Sequence, residues 1–151
     1  MNCQTYFLTL LARREYSAYE LRKKGENKGF DYNEITDTLE YFQQQGYQSD
    51  ASVAENMILY GKGEYGKPVL KRNCLAKGIA EEVFEQTWLE SAEEMESHPL
   101  SELKSKAMRK YKLDDFHNLD HKTKAKLFNF LKYRGFNPFA VLRQWQEESW
   151  Y

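Results

Sequence analysis

Leu70-Lys71-Arg72-Asn73-Cys74-Leu75-Ala76-Lys77-Gly78-Ile79 is the stretch on which the fold turns. A base, a glycine and an aliphatic residue in that order read as the end of a helix. The glycine takes the left-handed backbone, the base faces the negative end of the helix dipole, and the aliphatic residue folds back over the turn. Working outward, Leu70 stands eight residues before Gly78, Phe84 six after it and Trp88 ten after it. The same pattern surrounds Gly29, with Leu21, Lys28, Phe30, Ile35 and Leu39. It surrounds Gly135 too, with Leu127, Arg134, Phe136, Val141 and Trp145. The registers agree without gaps, and the anchors lie 49 and 57 residues apart. Such self-similarity marks a repeat of about 50 residues.

Each repeat holds three helices. Residues 4–14 carry Tyr6, Leu8, Leu10, Leu11 and Ala12 and form the first. Ser17-Ala18-Tyr19-Glu20 is a capping box that opens the second. The third runs from about Asn33, presents Ile35, Leu39 and Phe42 at helical spacing, and closes at Gly46. Ser49 or Asp50 caps the next helix, which fades at Gly61. Pro68, Pro99 and Pro138 each mark a helix start, where the missing amide has no helical partner to lose. Asn118-Leu119-Asp120 reads as another start.

The expected fold is therefore all-α, with about nine helices in tandem three-helix, helix-turn-helix-like repeats over 1–48, 49–97 and 98–151. Three helices bury a limited core, so neighbouring units are expected to stack into an elongated, curved array. Cys74, Trp88 and Trp145 are expected in the core. The alternative is a single globule of six to nine helices whose repeat is accidental.

Composition agrees. The 151 residues suit one domain or a short tandem array. Four Val and three Ile against sixteen Leu disfavour a β fold. Mean hydropathy is −0.83, yet aromatics at 15% are too many for a disordered chain. Two cysteines, Cys3 and Cys74, make no disulfide framework, and without a secretory signal the expected compartment is the cytoplasm. No apolar run approaches the roughly 20 residues of a bilayer span.

Lys plus Arg is 22 against 23 Asp plus Glu, a formal net charge of −1 that hides a partition. Residues 78–103 hold eight Glu and no Lys or Arg, whereas 104–134 hold ten bases against three Asp. The second helix of each repeat is the basic one: Arg22, Lys23 and Lys24, then Lys67, Lys71, Arg72 and Lys77, then Lys122, Lys124, Lys126 and Lys132. These helices either line one side that meets phosphates or an acidic protein, or are ordinary solvated faces.

Enzymatic chemistry finds no purchase. His98, His117 and His121 form no HExxH, the cysteines form no CxxC, and there is no phosphate-binding or dinucleotide loop. No enzyme activity, metal or cofactor is expected.

The run Tyr60-Gly-Lys-Gly-Glu-Tyr-Gly-Lys-Pro-Val-Leu-Lys-Arg-Asn-Cys-Leu-Ala-Lys-Gly-Ile79 resembles the core of the RecX family, regulators of the RecA recombinase. Leu10-Leu-Ala-Arg-Arg-Glu-Tyr-Ser-Ala-Tyr-Glu-Leu-Arg-Lys-Lys24 is similar to the family's first-repeat signature, and Phe128-Asn-Phe-Leu-Lys-Tyr-Arg-Gly-Phe136 to its closing one. Ala107-Met-Arg-Lys-Tyr111 also sits where the family has such a run. Glu64 stands where Gly or a base is usual, Asn73-Cys74 replaces a common Glu-Leu, and Gly25 a frequent Leu.

The resemblance implies a non-enzymatic modulator of tandem three-helix repeats, bound along the groove of the RecA–single-stranded DNA filament. It would limit filament growth, ATP hydrolysis, strand exchange and repressor cleavage. The chain is then expected to act as a monomer away from membranes, with weak direct DNA contact left open. Candidate contacts are Arg13, Arg14, Lys62, Tyr65, Lys67, Lys71, Arg72, Lys77, Lys132 and Arg134. The competing expectations are a direct nucleic-acid-binding module and a helical scaffold for another protein, using the acidic face over 81–96.

Overall fold

A computed structural model describes residues 1–61, 63–96 and 100–148, with side chains described for all of these except 92–96. Among the described residues there are nine helices and no strand: α1 Cys3–Leu11, α2 Ala18–Lys28, α3 Tyr32–Gln44, α4 Asp50–Gly61, α5 Lys67–Ala76, α6 Glu81–Glu96, α7 Ser101–Tyr111, α8 His121–Tyr133 and α9 Pro138–Glu148. None is long and apolar enough to cross a membrane.

The helix starts follow local chemistry. Ser17 Oγ accepts the Glu20 N–H at 3.1 Å while the Glu20 carboxylate accepts the Ser17 N–H at 3.0 Å, completing the capping box of α2. Asp31 and Asp120 cap α3 and α8 by accepting the N–H three residues on, each at 2.7 Å. Ser49 Oγ accepts the Ser52 N–H at the head of α4. Pro138 is the first residue of α9 and Pro68 the second of α5. The expected start at His98-Pro99 lies outside the described residues.

The stops share one geometry. Gly29, Gly78 and Gly135 have φ of 96°, 77° and 88°, the left-handed region. At each, the glycine N–H donates to the carbonyl three residues back. The following N–H (Phe30, Ile79 or Phe136) donates to the carbonyl of Gly25, Cys74 or Leu131, at 3.1, 3.3 and 3.0 Å. This double closure satisfies carbonyls that the helix end would otherwise leave orphaned. The three helix ends recur at the spacing of the sequence repeat.

The first helix ends earlier than expected, at Leu11 rather than residue 14. Arg13 N–H turns back to the Leu10 carbonyl, so Arg13 and Arg14 lie past the helix instead of closing it.

The chain divides into two compact units. One comprises Met1–Tyr60 and Lys71–Ala92, the other Gly61–Leu70 and Glu93 onward. In the first, α1, α2 and α3 enclose Phe7, Leu10, Leu21, Ile35, Leu39 and Phe42. The same unit buries Val53, Ala54 and Ile58 of α4, Cys74 of α5, and Ile79 and Phe84. Trp88, expected in the core, is half-buried and stacks on Phe84 at 5.9 Å.

The second unit packs α7, α8 and α9 around Leu103, Ala107, Phe116, Leu127, Leu131, Val141, Leu142 and Trp145. Trp145 is fully buried, its ring 5.1 Å from Phe116. The residues eight before and six after each glycine are all buried (Leu21, Leu70 and Leu127, then Ile35, Phe84 and Val141). Of those ten after it, Leu39 and Trp145 are buried and Trp88 is not, and of those one after it only Ile79 is.

Candidate functional site

The candidate contact residues fall in both compact units, and each group is described within its own unit. In the first, the charges largely neutralise one another. Arg14 lies over the Tyr16 ring, its Cζ 3.6 Å from the centroid, and pairs with Glu20 at 3.2 Å. Lys77 reaches the same Glu20 oxygen at 3.4 Å. Burial would raise the Glu20 carboxyl, but the Ser17 N–H, Arg14 and Lys77 outweigh it and hold the group below its ordinary value. Lys71 lies between Glu81 at 2.7 Å and Glu85 at 3.0 Å, which hold its ammonium form above the usual lysine range. Arg13 and Arg72 are exposed.

In the second unit, Tyr65 and Arg134 come together. The Gly66 N–H donates to the Arg134 carbonyl at 2.7 Å. The Arg134 guanidinium lies 5.5 Å from the Tyr65 ring and 4.8 Å from the Phe130 ring, and donates to the Glu64 carbonyl at 3.3 Å. Gly66 is buried, and so close to the α8 end that a Cβ there would sit 2.1 Å from the Gly135 carbonyl oxygen. Lys67 is half-buried and Lys132 exposed. Glu64, the acid that departs from the usual family residue, pairs with Lys106 at 3.3 Å. Lys62 lies outside the described residues, as do Trp150 and Tyr151.

Sequence reasoning missed one feature of this unit. Lys110 and Tyr111 of α7 face Lys126, Phe130 and Tyr133 of α8, and Arg134 just past its end, across a groove of about 550 Å³. A signal existed, since positions 126, 130 and 134 are spaced by four and share one face of a helix.

The two cysteines are free thiols. Both are buried, and Cys74 Sγ lies 3.7 Å from Met57 Sδ. Burial pushes the Cys74 thiol up to about 11 and raises that of Cys3 as well. Among the described residues no cluster of His, Cys, Asp or Glu could hold a metal ion.

Residues 3–42 match the first three-helix domain of RecX. Regulatory protein RecX of Pasteurella multocida (strain Pm70) is 34% identical over 135 residues, spanning 88% of this chain and 79% of that protein. This chain belongs to the RecX family. Regulatory protein RecX of Legionella pneumophila (strain Corby) is 32% identical over 141 residues, covering 93% of this chain and 90% of its own. A crystal structure titled regulatory protein RecX aligns with a TM-score of 0.76 over 93% of this chain and 71% of that one. At 16% identity it shows a shared fold. A regulatory role follows from RecX membership, and the buried repeat positions and glycine stops are the parts of this RecX-family chain that build the fold.

Proposed function

We propose that this chain binds the RecA–single-stranded DNA filament and mostly inhibits it. It lowers RecA ATP turnover, strand exchange and RecA-stimulated repressor cleavage, and so acts in the control of DNA repair and the SOS response. It does so as a monomer and by binding alone, without catalysis of its own. The observation that carries this is the match to proteins named regulatory protein RecX over about nine-tenths of the chain.

The physical logic is multivalency. A filament presents the same subunit surface repeatedly. Three repeats over 1–48, 49–97 and 98–151 offer several modest contacts on one chain, and linked contacts multiply in affinity. Of the candidate residues, Arg13, Arg72 and Lys132 are exposed and suited to an outside partner. Lys71 and Lys77 already hold carboxylates of their own chain and contribute less.

The test is ATP turnover by RecA assembled on single-stranded DNA, with the protein added at micromolar concentration. Turnover falls as the protein is titrated. Unchanged turnover throughout the titration overturns the proposal.

A further inference from the structure

We propose that the α7–α8 groove binds single-stranded nucleic acid directly, with Lys110, Lys126 and Arg134 on the phosphates and a base laid against Tyr133. This goes beyond filament binding and is tested without RecA.

Charge comes first. Three bases line the groove, and none of the seven lining residues is a carboxylate. Two other bases of the same unit are neutralised internally: Lys104 pairs with Glu148 at 3.0 Å and Lys106 with Glu64. Two of the three groove cations lie over rings instead. Lys110 Nζ lies 5.3 Å from the Phe130 centroid and 5.7 Å from that of Tyr111, and Arg134 lies over Phe130 and Tyr65. A ring face orients a cation without cancelling its charge, so the positive field remains available to an anion. The Tyr111 hydroxyl donates to the Lys126 carbonyl at 3.3 Å and ties the two walls together.

Tyr133 decides the ligand class. It is 84% exposed at the rim of the groove, beside Arg134 in sequence. An acidic peptide would satisfy the three cations and leave this ring in water. A single-stranded nucleic acid uses both features, because its phosphates follow the bases and its unpaired bases stack on an exposed ring. Asn129, also in the lining, adds an amide that can both donate to and accept from a base edge.

The experiment is fluorescence anisotropy of a labelled 20-nucleotide oligo(dT) with the full chain at low salt. Binding is expected, with affinity falling steeply as salt rises. Tyr133→Ala weakens it by about tenfold, the size of one lost base–aromatic stack. Tyr133→Phe, which keeps the ring, restores it, and Tyr60→Ala, equally exposed on α4, changes nothing. Lys110→Gln and Lys126→Gln each flatten the salt slope. An oligonucleotide that does not bind, or binds Tyr133→Ala undiminished, overturns the proposal. So does an abasic strand that binds as tightly as oligo(dT). Polyglutamate that occupies the groove where oligo(dT) does not would reassign it to an acidic protein. Failure here leaves RecA inhibition standing, and failure of RecA inhibition leaves oligonucleotide binding standing.

Discussion

The Gly66 N–H and the Arg134 carbonyl oxygen are 2.7 Å apart, and this bond ties the segment before α5 to the end of α8. The approach is possible only because position 66 has no side chain. A Cβ would meet the Gly135 carbonyl carbon at 2.6 Å as well as its oxygen at 2.1 Å, and backbone cannot swing aside as a side chain can. Gly66→Ala is expected to cost about 1–3 kcal/mol, the range of overpacking in a filled site. Urea unfolding measures this, with an unchanged m-value showing that the loss lies in the native state.

Ser17 serves two helix ends at once. Its Oγ accepts the Glu20 N–H and its hydroxyl donates to the Lys77 carbonyl at 2.6 Å, sixty residues away. Ser17 is fully buried, so Ser17→Ala loses a cap and removes the hydroxyl that the half-buried Lys77 carbonyl accepts from. The expected loss is about 2 kcal/mol, the upper end for a cap. Thermal unfolding reads it, and Ser17→Thr recovers much of it.

Glu20 makes stability depend on pH. Its folded carboxyl titrates below the ordinary 4.5, so its contribution is complete above that value and is lost as pH falls through the folded one. Comparing Glu20→Gln with the parent should show a difference in Tm that is full at pH 6 and closes as the solution is acidified below 4.5. A difference that stays constant across that range would contradict the arrangement.

Both thiols are predicted to be silent in the folded state. Cys74 has its thiol pushed up to about 11 and no exposed surface, and Cys3 is 1% exposed. A thiolate-seeking disulfide reagent at pH 8 should react with neither in the native protein and with both in denaturant.

Lys112 ends α7 with φ of 55°, a left-handed position that costs a side-chain-bearing residue about 1 kcal/mol. Lys112→Gly is expected to raise stability by roughly 0.5–1 kcal/mol. Equilibrium unfolding in urea checks the sign.

Charge reversal separates surface from scaffold. Arg72→Glu is expected to weaken RecA inhibition while leaving Tm unchanged, since Arg72 is exposed. Lys71→Glu would place a third carboxylate beside Glu81 and Glu85 and lower Tm by itself. Circular dichroism beside the ATPase assay distinguishes the two.

Most helix starts, the glycine helix stops and the repeat positions eight before and six after each glycine were legible in the residue order, whereas the end of α1 at Leu11 and the half-burial of Trp88 were not. Ser17 with Glu20, Asp120 with Thr123, and Gly29, Gly78 and Gly135 with their flanking residues act over three to five residues, so local spacing carries the information. Which charges remain available was decided by tertiary structure alone. Lys77 finds Glu20 across 57 residues and Lys106 finds Glu64 across 42, whereas Lys110 and Arg134 settle over aromatic rings. A run of bases reads the same in sequence whether carboxylates meet it or not. Only the packing of helix faces determines which acid lies within 4 Å of which base, and hence how much charge is left for a partner.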